Sequence, residues 1–592
     1  MQFDLLIRNG TIVDGTGAPR RRADLGLKGG RIARIGDLSG ALANRTIDAS
    51  GQIVAPGVID LHTHYDAPVH WDPYCTTSSW HGTTTVVMGN CGFGYAPCRP
   101  EHRDRYMWMM VNTEQVPYES QRAAINWEWE SFPEWLDHLK RLPRGINSAM
   151  YLPMNPLLVY VKGDEVKSRP TTEAERARMR ELLHEAMDAG AAGFSFSLLG
   201  NGNGHVDYDG TPVPTDVMDP EEAYNLAAVL RDRGEGVIQS LVQLRMESRP
   251  EISEKLARIS GRPVIHNTII VYEASAEPSE RELQLARQWQ DTLAWVDDME
   301  RQGLNIYLQS VSFRGWAEFK IEEMTLFNAV PVFEDFGRCK TTEARMAIAT
   351  DPEWRARARD SYRYEYFMPT GGGFQKYLLS DAHGDPTYAR YEGQTVGQIA
   401  EAEKRHLVDV FFDILVATRM QVDFKLAEAQ SRDGAKVEQV LRHPRVIPGT
   451  SDGGAHVKMF VGGHYSTDII NWMVKEDGRM SLEEVHQALS QRPARAFGLK
   501  DRGAIQEGYF ADLMIYDLEK LGFDKTYVVA NDLPGGDWRR TVPAHGVSHV
   551  LVNGEVIVEC GRTTGAHPGE LLRSENPQPP VTTTSRITAA AE

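Results

Sequence analysis

The chain has no run of apolar residues long enough to cross a membrane as a helix. Cysteine is scarce: five in 592 residues, namely Cys75, Cys91, Cys98, Cys339 and Cys560. An odd number at irregular spacing is a poor disulfide framework. That excludes a small stapled module and makes a reducing cytoplasm the expected compartment. Positive charge is also in deficit. A formal net charge of −18 argues against nucleic-acid and anionic-membrane partners, because both require a basic surface. The first residues, Met1-Gln2-Phe3-Asp4-Leu5-Leu6-Ile7-Arg8, show no basic segment followed by a long apolar one, so no signal peptide is expected. What remains is an ordinary globular composition over a length too great for one minimal domain.

The two ends share a β texture. Phe3 to Asn9, Thr11 to Val13, Ala23 to Lys28 and Arg31 to Ile35 read as short strands, split by the turn pairs Asn9-Gly10, Asp14-Gly15 and Gly29-Gly30. Near the other end, Ala511 to Tyr516 and a hairpin around Asn553-Gly554 read the same way. Each end is too small to bury a core alone, so residues 1–54 and 496–573 are expected to pack as one β-sandwich. The Pro-, Thr- and Ala-bearing stretch 574–592 is expected to be a disordered tail.

Residues 55–495 alternate between strand and helix patterns. Candidate strands are Val58 to His62, Thr83 to Met88, Ile146 to Leu152, Ala192 to Ser197, Gly236 to Val242, Pro263 to Thr268, Leu304 to Ser310 and Val446 to Ser451. Helical patterns such as Thr172 to Ala189 and Pro220 to Arg233 lie between most of them. Eight such units predict an α/β fold of the (β/α)8 TIM-barrel type, with chemistry at the C-terminal ends of the strands. The stretch 311–445 is far longer than an ordinary connection and predicts a mostly helical insertion near the mouth.

His62-Thr63-His64 ends the first strand. Residues i and i+2 of a strand share a face, so the two imidazoles emerge side by side as a chelating pair for a divalent metal, zinc foremost. Asp452 ends the eighth strand within Gly449-Thr450-Ser451-Asp452-Gly453-Gly454. A closed barrel makes the eighth strand a neighbour of the first, which lets Asp452 act both as a ligand and as the group that takes a proton from water and returns it to a leaving nitrogen. A metal there lowers the pKa of water to about 7 and generates the nucleophile. Cys91, in Gly89-Asn90-Cys91-Gly92 after the second strand, is a candidate thiolate ligand, with a buried small hydrophobe as its ordinary reading. His266 on the sixth strand is a candidate for a second metal position and equally reads as a core histidine. Asp66 suits a loop-orienting carboxylate or a turn. His456 and His464 are loop histidines within reach of a substrate, and Phe313, Trp316, Phe367 and Phe374 suit either an apolar pocket or the insertion's own core.

These segments together resemble the amidohydrolase superfamily and, within it, the N-acyl-D-amino-acid deacylase (D-aminoacylase) group. The resemblance rests on Ala55-Pro56-Gly57-Val58-Ile59-Asp60 leading into His62-Thr63-His64-Tyr65-Asp66, on Gly82-Thr83-Thr84-Thr85-Val86-Val87-Met88-Gly89-Asn90-Cys91-Gly92, on Ser451-Asp452-Gly453, and on Pro493-Ala494-Arg495-Ala496-Phe497-Gly498-Leu499 with Gly508-Tyr509-Phe510-Ala511-Asp512-Leu513. It implies a metal-dependent hydrolase of a non-peptide C–N bond, a linear N-acyl amide as small-molecule substrate, and Cys91 as a metal ligand. It also allows a homo-oligomer. The middle of the chain departs from the pattern. The family's strand-five histidine has no counterpart in Val237-Ile238-Gln239-Ser240-Leu241-Val242-Gln243, and its His-His-Lys run on strand six is reduced to His266. The expected centre is therefore one divalent ion on His62, His64 and Asp452 with Cys91, or two ions if Cys91 and His266 hold a second. A cyclic-amide hydrolase or deaminase on the same scaffold, and a catalytically silent assembly protein, are the alternative readings.

Overall fold

The computed structural model describes residues 2–575 and 577, apart from 202, 245–246, 324–329, 331, 371 and 427–431. The greater part of the tail 574–592 therefore lies outside the described residues.

Eight parallel strands form the central barrel. In order they are Val58–Asp60 continuing into His62–Thr63, Thr83–Met88, Asn147–Met150 continuing into Leu152–Pro153, Gly193–Ser197, Val237–Leu241, Val264–Ile270, Ile306–Val311, and Val446–Pro448 continuing into Thr450–Gly453. Each pairs in parallel with the next. The ring closes where Thr450 pairs with His62 and Gly453 with Thr63. All eight overlap the candidate strands, and nearly all of their residues are buried, the polar Thr, Ser and Asn among them included. The helices between them follow their caps. Glu173–Ala189 opens on a Thr172–Glu175 capping box and Glu280–Arg301 on a Ser279–Glu282 box.

Alternation along the strands separates two cores. Val87, Ala149, Tyr151, Val237, Ile265, Tyr307 and Ile447 gather in one buried cluster with Phe497 and fill the barrel. Ile238, Val264, Ile306, Leu308 and Val446 belong to a different cluster, which packs against the surrounding helices. This two-residue period decides which side chains further along the same strands can face the mouth.

Both ends of the chain join in one nine-stranded mixed sheet. Its second central strand, Ile53–Pro56, pairs with Gln2–Ile12 from the N-terminal part and with Leu513–Tyr516 from the C-terminal part. The strand Leu42–Asp48, which the turn signals do not reveal, lies parallel to Gln2–Ile12. The sheet curls back on itself, since Ile32 N donates to Tyr509 O at 2.8 Å and Ala511 N to Gly30 O at 2.9 Å. Leu5, Leu25, Ile47, Val54, Leu513 and Leu551 fill its inside, giving the β-sandwich that flanks the barrel.

Between barrel strands seven and eight lies a unit with its own core. Helices Thr342–Thr350, Pro352–Ser361, Val396–Glu403 and Leu407–Ala417 accompany a small sheet of Ala317–Phe319, Leu378–Asp381 and Asp423–Leu426. Phe333, Trp354, Phe367, Phe374, Phe411 and Phe412 pack together inside it. It docks on the mouth at the loop after strand eight, where Glu318 N donates to Met459 O at 3.0 Å. Among the described residues no helix is long and apolar enough to cross a membrane.

Candidate metal centre

Strand one and strand eight build the centre jointly. Ser451 Oγ donates to the Asp60 carboxylate, which also accepts from His62 N at 3.1 Å. His64 N donates to Gly453 O at 2.7 Å. Gly454 permits this approach: with φ at +92°, a Cβ there would lie 2.8 Å from His64 O. Asp452 and Cys91 both adopt left-handed backbone, with φ of 50° and 57°. For a cysteine that conformation is uncommon and marks a side chain whose direction is set by its surroundings. Asn90 anchors the Cys91 turn by donating to Val87 O at 2.8 Å and Thr63 O at 3.2 Å.

The donors converge. His62, His64 and Cys91, all buried, place ligand atoms within 4.8 Å of one another. His62 Nε2 lies 3.4 Å from Cys91 Sγ and 3.3 Å from Asp452 Oδ1, and His64 Nε2 lies 3.7 Å from the same oxygen. Asp452 is the member that solvent reaches, with 29% of its side chain exposed. Asn267 determines which nitrogen of His62 carries the lone pair. Its amide NH2 donates to Ile265 O at 3.1 Å, so Oδ1 faces His62 and accepts from Nδ1–H at 2.7 Å, leaving Nε2 free.

Burial moves every titratable group here toward its neutral form. It depresses His62 to about 4 against the opposing Asn267 hydrogen bond, and it holds His64 well below the ordinary imidazole range, with His62, His456 and His205 adding to the effect. It raises Asp452 to about 7 and pushes the Cys91 thiol up, a push that Glu114 and Asp452 reinforce. Among the described residues no Lys or Arg pairs with Asp452, Glu114 or Asp66. Two neutral imidazoles, a thiol and carboxylates without a cationic side chain form a donor set suited to a divalent ion, which reverses each of these shifts by its own charge.

His266 does not join the centre. Its Nδ1 lies 2.9 Å from Ser253 Oγ, its Nε2 lies 3.0 Å from Gln243 Oε1, and its ring packs on Trp295. The reason is strand parity. Ile265 and Asn267 point into the barrel, so His266 between them points out to the helices. On strand five Gln239, two residues after inward-facing Val237, accepts from Cys91 N at 2.8 Å. The inward positions of strands five and six thus carry neutral amides, Gln239 and Asn267.

The remaining loop candidates divide. His456 lies at the centre, with Nε2 3.6 Å from Glu114 Oε2. His464 does not: its Nδ1 lies 2.6 Å from Val461 O and its ring packs on Trp316 and Phe523. Asp66 is fully buried, and among the described residues no side chain donates a hydrogen bond to its carboxylate. Phe367 and Phe374 belong to the insertion's own core, Trp316 stacks on Tyr527 at 4.5 Å, and Phe313 packs on His464 and Tyr465. Glu114, at the end of helix Arg103–Glu114, is a member of the site that carries no sequence signal.

A closed (β/α)8 barrel with two imidazoles, a thiol and a carboxylate at the C-terminal ends of strands one, two and eight is the architecture of a metal-dependent hydrolase acting on carbon–nitrogen bonds other than peptide bonds. A sequence model of the amidohydrolase family matches residues 45–558, and the chain belongs to that family. It is 26% identical to D-aminoacylase of Alcaligenes xylosoxydans xylosoxydans over 96% of this chain and 97% of that protein. The fold matches a D-aminoacylase structure, described in terms of a binuclear metal centre with one-metal activation and second-metal attenuation, at a TM-score of 0.64 and 23% identity, covering 96% of this chain and all of that one. It also matches N-acyl-D-glutamate deacylase of Bordetella bronchiseptica, in complex with zinc and a phosphonate inhibitor, at a TM-score of 0.63 and 23% identity, covering 97% of this chain and all of that one.

Proposed function

We propose that this hydrolase deacylates a linear N-acyl amide of the N-acyl-D-amino-acid type, with one divalent ion, zinc, sufficient for the reaction and held by His62, His64, Cys91 and Asp452. The observation that carries the reading is the convergence of Cys91 Sγ and Asp452 Oδ1 on His62 Nε2, at 3.4 and 3.3 Å. A bound divalent ion supplies Lewis acidity, which polarises a carbonyl and acidifies water. The chain's own residues then have separable tasks. His62, with its Nδ1 proton committed to Asn267, presents a fixed lone pair. Asp452, partly open to solvent, accepts a proton from the attacking water as the new C–O bond forms, and delivers it to nitrogen as the C–N bond breaks. The products are a carboxylic acid and an amine.

Similarity over almost the whole chain to D-aminoacylase and N-acyl-D-glutamate deacylase supports the acyl-amino-acid substrate. All five cysteines are free, which supports a reducing cytoplasm as the compartment. The test is metal content of the purified chain beside hydrolysis of N-acetyl-D- and N-acetyl-L-amino acids, aryl amides and hydantoins. The expected result is hydrolysis of an N-acyl-D-amino acid by the zinc-loaded chain. Zinc-loaded protein that opens hydantoins and leaves linear acyl amides intact overturns the substrate class.

A further inference from the structure

His205 is a further imidazole at the mouth, and the hydrolytic reading gives it no task. It stands on the loop between strand Gly193–Ser197 and helix Glu221–Arg233. Its ring packs edge-on against Phe93 at 5.2 Å between centroids, and the same Phe93 lies 6.2 Å from the His64 ring. Its charge adds to the depression of His62, His64 and His456 alike, so it shares their space. The loop is pinned two residues further on: Asp207, fully buried, pairs with Arg105 and Lys167, and Asn112 Nδ2 donates to Asp207 O at 2.9 Å.

Asp216 stands behind the ring. Its carboxylate is fully buried, accepts from Leu199 N at 3.0 Å and from Asn203 Nδ2 at 2.9 Å, and lies 3.5 Å from His205 Nδ1. Among the described residues no Lys or Arg pairs with it. A carboxylate removed from water needs a positive partner, and His205 is the basic side chain within ion-pair distance. Nδ1 therefore faces Asp216 as a donor. Nε2, on the other side of the ring, makes no hydrogen bond among the described residues. An imidazolium held in this way presents one uncommitted N–H and a positive charge.

That charge meets a need of the substrate, because an N-acyl amino acid carries a free carboxylate beside the scissile amide. Two guanidinium groups line the cavity at Asp452, and both are already committed. Arg539 pairs with Asp72 and Asp532 at 2.9 and 2.8 Å. Arg540 donates to Lys458 O at 2.8 Å, with Glu318 and Glu323 beside it. We propose that His205, oriented by Asp216, binds the substrate's carboxylate and so restricts this hydrolase to anionic acyl amides. The proposal rests on the acyl-amino-acid reading of the site.

The experiment is steady-state kinetics of the metal-saturated full chain on an N-acetyl-D-amino acid and on its uncharged methyl ester, with release of the free amine as the readout. The parent is expected to show the lower KM for the acid. His205→Gln is expected to raise that KM by tenfold to about a hundredfold, as for the loss of a hydrogen bond to a charged group. Its kcat and its KM for the ester are expected to stay within about threefold of the parent. His205→Lys, which returns a cation, should keep the preference for the acid, and Asp216→Asn should weaken it. Zinc content should be the same throughout. A parent that does not distinguish acid from ester overturns the assignment, as does a His205→Gln variant whose KM rises equally for both. A fall in kcat at unchanged KM would place His205 on the reacting carbonyl instead, and loss of zinc would make it a ligand; either result also overturns it. A parent that hydrolyses acyl amino acids, beside a His205→Gln variant with unchanged kinetics, leaves the proposed function standing and removes only this residue's task. A zinc-loaded parent without activity on any acyl amino acid removes both.

Discussion

His62 Nδ1–H donates to Asn267 Oδ1 at 2.7 Å, which couples the first barrel strand to the sixth across the interior. The contact fixes a rotatable imidazole so that its one lone pair, on Nε2, faces the candidate centre. Replacing Asn267 by Ala frees the ring and leaves its Nδ1–H buried without an acceptor. Tenfold to about a hundredfold weaker zinc binding is expected, as for other partners of metal-ligating histidines. Competition with a chromogenic chelator measures it, and unchanged affinity would show that His62 needs no such support.

Asp452→Asn removes the proton acceptor and keeps the side-chain volume. Turnover is expected to fall by roughly 10²–10⁴, with weakened but measurable metal uptake. Steady-state kinetics on metal-saturated protein tests this, and retained kcat would assign the proton transfer to another group.

His62→Ala and His266→Gln are expected to behave oppositely. The first removes an imidazole 3.3–3.4 Å from two other donors and should lose the tight ion and activity together. The second lies behind the barrel wall, bonded to Ser253 and Gln243, and should keep both. Elemental analysis of the two purified variants decides the matter; loss of metal in His266→Gln would restore His266 as a ligand.

His266 also predicts a pH dependence. Burial depresses its folded pKa to about 3, against about 6.5 in the unfolded chain. It is neutral in both states above pH 6.5. As pH falls below that value the unfolded chain binds a proton that the folded chain does not, so stability drains by about 1.4 kcal/mol per pH unit. His266→Gln has no such proton. Its deficit relative to the parent, present at pH 7.5 through the lost hydrogen bonds, should narrow by roughly 1.4 kcal/mol at pH 5.5. Urea unfolding at the two pH values reads this directly; a deficit that widens on acidification contradicts the assignment of a buried neutral ring.

Phe374 is fully buried in the insertion and stacks on Phe411 at 4.0 Å. Phe374→Ala should cost about 3–5 kcal/mol of local stability through the cavity it opens. Zinc content should not change, because the ring belongs to the insertion's own core. Limited proteolysis with elemental analysis checks both halves, and metal loss without new cleavage would place Phe374 at the site.

Individual residues show how far the sequence carries. His62 and His64 are legible because an i, i+2 pair at the end of an apolar strand has one geometric meaning. Asp452 is legible because its Gly-rich flank marks a strand end where backbone must approach closely. The eight barrel strands are legible because short β-prone runs recur between helical patterns and turn signals. Strand Leu42–Asp48 is not, since its residues are mostly exposed and carry no apolar alternation. His266 misleads because residue type alone does not fix parity: one step along the strand carries a side chain to the other face, and the inward position belongs to Asn267.

The sequence by itself therefore determined the barrel, the flanking sandwich and the placing of the candidate ligands at the ends of strands one, two and eight, through patterns that act over a few residues. Only the tertiary structure decided which amides line the interior from strands five and six. It alone brought Glu114 from the end of a helix to His456, some 340 residues further along the chain and within 3.6 Å. That contact depends on the packing of a long excursion after strand two against the loop after strand eight, and no local pattern encodes it.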